Sequence, residues 1–283
     1  MSRLTVHGSR HSLPTVKVKD AGLYYEEHGR GEPLVLVPGF GAGLWIWYRQ
    51  VADFAERFRT IVFDPRGVAR SHAPDAPFTM LDLADDLAAL LEGLQVESAY
   101  VLGASFGGFV AQEFALAHPE RTRSLVLCCT SYGGPGHVPP APETLAAIAS
   151  TRGLNTAERV RENWSLAFSP RFAAETPAEV ERVVSLRAEN NVPERLYLRQ
   201  LQAAVAFDAA ARVGRVSVPT LVITGDADAI VPHENSLNLA AAIPGSTLKI
   251  VEGGSHAFFI EQADEFNRAV VEFIEQNNFK FLI

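Results

Sequence analysis

The feature that most constrains this chain is the stretch Tyr100-Val101-Leu102-Gly103-Ala104-Ser105-Phe106-Gly107-Gly108-Phe109. An apolar run suited to a buried strand ends at Gly103, and from Gly107 onward Phe109, Val110, Ala111, Phe114 and Ala115 recur at helical spacing. Strand becomes helix within a few residues. A turn that tight forces unusual dihedrals on its middle residue and leaves no room for Cβ atoms beside it, which accounts for Gly103 and Gly107. Ser105 stands at the tip.

The neighbouring segments repeat the strand-then-helix order. Thr15–Lys19 and Leu23–Glu27, split by Asp20-Ala21-Gly22, read as a hairpin at a sheet edge. Pro33–Val37 and Thr60–Phe63 are continuous apolar runs, as expected of strands covered on both faces. A helix carrying Trp45, Trp47, Val51 and Phe54 is expected between them. Phe78–Leu94 is amphipathic through Leu83, Leu87, Leu90, Leu91 and Leu94, with Asp82, Asp85 and Asp86 near its N-terminal end, where they favour the helix dipole. This alternation predicts an α/β fold: a mostly parallel twisted sheet with helices on both faces.

The alternation breaks after Tyr132. A turn-rich entrance, Gly133-Gly134-Pro135-Gly136 with Pro139, Pro140 and Pro142, leads into about eighty residues of helical pattern before Val218-Pro219. Helices are expected over Ala157–Phe168, Pro177–Asn190 and Pro193–Ala211, with prolines near their starts as suits a first turn. The expected division is a core of residues 1–132 and 217–283 with a helical cap, residues 133–216, inserted in it. Trp164, Phe168, Phe172, Tyr197 and Phe207 give the cap an apolar side that serves its own core, a pocket, or both. Strands Thr220–Thr224 and Ser246–Val251 then flank a helix around Asn235–Ala242, and a final amphipathic helix covers Gln262–Gln276. No internal repeat is present.

Composition narrows the function classes. The 283 residues are 47% hydrophobic, enough for a substantial core and too much for a disordered or coiled-coil chain. With 25 basic against 33 acidic residues the formal net charge is −8, and no basic stripe exists to follow a phosphate backbone, so nucleic acid is not an expected partner. The only cysteines, Cys128 and Cys129, are adjacent in the run Ser124–Cys129. Neighbours on a strand point to opposite faces, so two small buried thiols are expected in place of a disulfide or metal pair. Met1–Pro14 lacks the apolar core of a secretion signal, its first dozen residues read as loose, and no stretch reaches the roughly 20 apolar residues that span a bilayer. A soluble, cytoplasmic protein without membrane partners is expected.

A serine hydroxyl is a weak nucleophile at neutral pH; it needs a histidine to take its proton and an acid to fix that histidine. Of eight histidines, His7 and His11 lie near the N-terminus, His118 ends a helix before Pro119, and His233 opens another. His256 differs, sitting in the glycine-rich turn Glu252-Gly253-Gly254-Ser255-His256 after the last expected strand. In a parallel sheet such turns share the carboxyl edge with Ser105. Two acids follow the preceding strand: Asp228 has the matching position, and Asp226, closer to the strand end, competes with it, its plainer use being a turn-capping carboxylate.

From about Leu23 to Phe273 the chain resembles the α/β-hydrolase superfamily, especially its cap-bearing esterases and enol-lactonases. Gly103–Gly107 matches the nucleophile elbow G-x-S-x-G, Gly225–Asp228 is similar to the acid loop, and Gly254-Ser255-His256 to the histidine loop. The resemblance implies a triad of Ser105, Asp228 and His256, with Asp228 favoured over Asp226. It implies an oxyanion hole from the amides of Phe40 and Phe106, with Gly39 and Gly41 allowing close approach of substrate. Asp64-Pro65-Arg66-Gly67-Val68-Ala69-Arg70-Ser71 is similar to the family's D-x-R-G-x-G-x-S loop, with Ala69 in place of its second glycine. Pro38-Gly39 stands where the family often has His-Gly. A serine nucleophile disfavours the epoxide hydrolase and dehalogenase branches. The implied activity is cofactor-free and metal-free hydrolysis of a small ester or lactone through an acyl-enzyme. The alternatives are a carbon–carbon bond hydrolase of vinylogous diketones, a perhydrolase, or a non-catalytic ligand receptor. Cap arginines such as Arg152, Arg159 and Arg187 either orient a substrate carboxylate or form a solvated helix face.

Overall fold

The computed structural model describes residues 13–153 and 155–278, with Asn163 as backbone alone; the first dozen residues, whose looseness was expected, lie outside this range. In chain order the elements are β1 (Thr15–Val18), β2 (Ala21–His28), β3 (Pro33–Val37), α1 (Val51–Ala55), β4 (Arg59–Phe63), α2 (Met80–Gly93), β5 (Ala99–Ala104), α3 (Phe106–Ala117) and β6 (Thr122–Cys128). Five helices follow before the next strand: α4 (Pro142–Ala149), α5 (Ala157–Ala167), α6 (Pro170–Glu175), α7 (Pro177–Glu189) and α8 (Glu194–Ala206). The chain then runs through β7 (Thr220–Gly225), α9 (Glu234–Ala242), β8 (Thr247–Val251), α10 (Phe258–Glu261) and α11 (Ala263–Asn278).

The eight strands form one sheet in the order β1-β2-β4-β3-β5-β6-β7-β8. β1 pairs with β2, and β2 with β4, in antiparallel register; every later pairing is parallel. Successive side chains on a strand point to opposite faces, and the core divides accordingly. Val35, Val37, Ile61, Val101, Leu125 and Val222 pack on one face against α2, α3 and α9. Leu34, Leu36, Val62, Leu102, Val126 and Ile223 pack on the other, against α1 and α11. Their continuous apolar runs are what a sheet covered on both sides requires.

Two details differ from the sequence expectations. The aromatic stretch after β3 is not one helix: Leu44–Trp47 forms a single 3-10 turn, and only Val51–Ala55 is α-helical. Leu44, Trp45, Ile46 and Trp47 are all buried, so packing on every side, and not one helical stripe, holds them. The cysteines also sit otherwise than expected. β6 ends at Cys128, and Cys129 turns into the left-handed region at φ +42°, bringing its sulfur to 3.6 Å from that of Cys128. Both thiols are free and buried. Among the described residues, no helix is long and apolar enough to cross a membrane.

Candidate active site

Ser105 occupies the turn between β5 and α3 with φ +53° and ψ −118°, a conformation L-residues seldom adopt. The turn after β6 over-determines it. Its amide donates to Cys128 O at 2.8 Å, and Thr130 Oγ1 donates to Ser105 O at 2.8 Å. The flanking glycines are sterically required: a Cβ on Gly103 would collide with Gly107 O, and one on Gly107 with Val37 O.

Asp228 lies in the loop after β7 and is buried. Its Oδ1 accepts from the amides of Ile230 and Val231, each at 2.8 Å, which fixes the carboxylate plane. Its Oδ2 accepts from His256 Nδ1 at 2.8 Å. Asp226, the other acid of that loop, instead accepts from Gly253 N at 2.7 Å and ties the two sheet-edge turns together. Burial alone would lower the pKa of His256, but the adjacent Asp228 carboxylate outweighs it and raises the ring to about 9.

Ser105 and His256 open on one cavity of about 510 Å³, without a direct hydrogen bond between them; catalytic hydrogen bonds are often long before substrate arrives. That volume suits a small molecule. The walls are largely apolar and come from both the sheet edge and the inserted helices, including Ile148, Val160, Trp164, Leu201 and Phe207. Polar side chains are few: Ser105, His137, Arg187, Tyr197 and His256, and among the described residues no carboxylate lines it. Arg187 on α7 is buried, donates to Asn190 O at 3.0 Å and Asn155 Oδ1 at 3.3 Å, and forms no ion pair among the described residues. Arg152 is exposed, and Arg159 pairs with Glu162 at 3.2 Å and donates to Ala147 O, so neither is placed as Arg187 is.

Phe40 and Phe106 both line this cavity. Phe106 opens α3, where an amide has no intrahelical acceptor, and the amide of Phe40 has no acceptor among the described residues. Gly39 lies against Ser105: a Cβ on the glycine would sit 3.6 Å from that of the serine. The arrangement can take a proton from an alcohol, attack an acyl carbon and offer two amides to the resulting oxyanion.

Sequence reasoning missed three neighbours of the site. His137 lines the cavity with Nδ1 3.1 Å from Ser131 Oγ, and burial holds its pKa below the usual histidine value. Gln200, on α8, accepts from Gly41 N at 2.8 Å. Cys129 is the third: one donor atom each from Cys129, Asp228 and His256 lie within 4.8 Å of one another, a grouping that could in principle hold a soft metal ion. The donors are already engaged, however. Asp228 accepts three hydrogen bonds, and burial pushes the Cys129 thiol well above its usual pKa, so it stays protonated. Only the left-handed turn after β6 brings Cys129 there, and no sequence signal marks it.

Comparison with known proteins gives a consistent picture. The chain is 33% identical over 261 residues to "Putative carbamate hydrolase RutD" of Azorhizobium caulinodans, covering 92% of this chain and 98% of that one. It is 29% identical to "3-oxoadipate enol-lactonase 2" of Acinetobacter baylyi over 95% of this chain and 98% of the relative. The solved enol-lactonase of Burkholderia xenovorans LB400 superposes with a TM-score of 0.81 at 27% identity, over 93% of this chain and all of that one. Residues 32–263 match the family described as alpha/beta hydrolase fold, and with the sheet and loops above this makes the chain a hydrolase belonging to that family.

Proposed function

We propose that this protein hydrolyses a small, largely apolar carboxylic ester or lactone through an acyl-enzyme on Ser105. The observation that carries the reading is the shared cavity: a serine in a strained turn and a histidine already bound to a buried carboxylate open on the same apolar space. His256 takes the Ser105 proton as the hydroxyl attacks the acyl carbon, then returns it to the leaving oxygen. Asp228 keeps Nδ1 protonated and stabilises the imidazolium, while Phe40 and Phe106 amides receive the oxyanion. Water then repeats the sequence on the acyl-enzyme. Residues 133–216 serve as a lid over the core of residues 1–132 and 217–283, and the partner is a small molecule. A fluorophosphonate should label Ser105 alone, and Ser105→Ala should abolish both labelling and ester turnover. Full activity in that variant would refute the assignment.

A second reading rests on Arg187. A buried guanidinium with no acidic partner among the described residues, facing a cavity that none of their carboxylates lines, suits a substrate that brings its own. That favours a carboxylate-bearing enol-lactone, or a ring-cleavage dienoate cleaved at a carbon–carbon bond, over a neutral ester. Turnover of p-nitrophenyl acetate compared with an enol-lactone, a carbamate and a dienoate separates these, and tight binding of all without product would instead indicate a receptor.

A further inference from the structure

The loop that follows β3 is held from outside the sheet. Gly39 turns back on itself through Ala42 N donating to Gly39 O at 3.1 Å, and Gly41 follows in the left-handed region at φ +64°. The amide of Gly41 points away from the sheet and donates at 2.8 Å to Oε1 of Gln200, a residue 159 positions later on α8 and only 1% exposed. One turn earlier on the same helix, Tyr197 lies over the loop. Its ring centroid is 4.4 Å from that of Phe40, and a Cβ on Gly41 would lie 3.3 Å from its edge. The Tyr197 hydroxyl donates to Ile148 O at 2.7 Å, so it is itself fixed within the inserted helices.

The helix is anchored beyond this loop as well. Leu196 packs directly on Gly67, and Ala69 N donates at 3.3 Å to Asn191 O just before α8. α8 thus rests on two sheet-edge loops at once, and Gln200 supplies the hydrogen bond by which it grips the one beside Ser105.

We propose that Gln200 is a positioning residue for the oxyanion hole: its side-chain oxygen, by holding Gly41 N–H, fixes the preceding peptide so that Phe40 N–H faces the reacting carbonyl. The inference rests on the serine-hydrolase reading and deepens it. Phe40 and Gly41 share consecutive peptide planes, so rotating the Gly41 amide away from Gln200 turns the Phe40 carbonyl, and with it the loop's approach to Ser105. Gly41 has the freedom to make that rotation, and without an acceptor on α8 its buried amide has reason to make it. A donor aimed at developing negative charge contributes only when it is held in place beforehand. The inserted helices therefore supply part of the catalytic geometry in addition to walls.

The test compares Gln200→Met, a linear replacement with almost no acceptor strength, with Gln200→Glu, which keeps an oxygen in place. For Gln200→Met, kcat on p-nitrophenyl acetate should fall about ten- to a hundred-fold with KM within about two-fold, because the lost interaction belongs to the transition state. Inhibition by a trifluoromethyl ketone, whose adduct carries the oxyanion, should weaken by a similar factor. Gln200→Glu should recover most of kcat. Should the Met variant not fold, Gln200→Leu replaces it under the same expectations. A folded acceptor-less variant with kcat within about two-fold of the parent, or a Glu variant as impaired as the Met one, overturns the proposal while leaving the serine-hydrolase reading intact. Failure of the unmodified protein to be labelled at Ser105 by a fluorophosphonate overturns both.

Discussion

Ser105 at φ +53° and Cys129 at φ +42° are two of five non-glycine residues with positive φ among the described residues, and they belong to one construction. The Cys128–Thr130 turn accepts from the Ser105 amide and donates to its carbonyl, so the strain of each turn is held by the other. Ala69, at φ +47°, is a third, in the loop where the family has glycine. Ala69→Gly should relieve that strain and stabilise the fold by up to about 1 kcal/mol, measured by chemical denaturation, because the gain in the turn exceeds the added freedom of the unfolded chain. In the proposed mechanism His256 carries the pH dependence. Asp228 stabilises its cation and lifts its pKa to about 9, so the ring is mostly protonated at neutral pH, and kcat/KM should rise with pH through about 9 as the base form appears. By the same linkage, its contribution to stability is full below the ordinary histidine range and fades as pH rises through about 9. Asp228→Asn should move that rate limb to lower pH, since the carboxylate that chiefly opposes the effect of burial is gone, while turnover falls on the order of 10⁴-fold. A pH profile unchanged in this variant would show that another group controls the rate.

At the scale of elements, the loop after β4 is clamped to α2 by a pair that sequence patterning suggested only as a dipole effect. Arg66 donates to both oxygens of Asp86, at 2.6 and 2.7 Å, and both side chains are buried. Removing Asp86 leaves the buried guanidinium with only the exposed Asp20, 3.3 Å from its Nη1, so Asp86→Ala should destabilise the fold by about 3 kcal/mol, whereas replacing both Arg66 and Asp86 with leucine and methionine should cost far less. Urea denaturation of single and double variants decides between these outcomes. The same region illustrates what the sequence could reveal. α2 and the turn at Ser105 were legible because a single local pattern, an apolar stripe or a G-x-S-x-G spacing, is sufficient to specify them. The single helix expected to carry Trp45, Trp47, Val51 and Phe54 is instead a 3-10 turn and a short helix, because Leu44–Trp47 pack in every direction and a run of apolar residues does not by itself encode which sides are covered. α4 and α6 escaped notice because they are short and begin at prolines within turn-rich sequence. Gln200 and Cys129 carried no signal at all: each matters through a contact between distant segments, and no local rule encodes such a contact.

On the scale of the molecule, the loops at the sheet edge hold Ser105, Asp228 and His256, and the segment between β6 and β7 supplies much of the space beside them. α8 shows the division within one helix. Gln200 and Tyr197 grip the loop beside Ser105, while Leu201, Ala204 and Val205 line the cavity, and Val205 at its rim is 81% exposed. Acyl length should therefore be set by cavity-lining positions on α8 that make no contact with the reacting atoms. A larger side chain at Leu201 shortens the cavity without altering Ser105, Asp228, His256 or the Gly41–Gln200 hydrogen bond. Leu201→Trp should leave kcat/KM for p-nitrophenyl acetate within about two-fold, yet lower it at least about ten-fold for an octanoate ester, since each excluded methylene forfeits roughly 1 kcal/mol of binding. Measured across acyl lengths from two to twelve or so carbons, the parent's preference should decline gradually and the variant's should break at a shorter chain. Equal losses at every length would mean that the substitution had disturbed the loop through α8, and that the helix cannot tune specificity separately from catalysis.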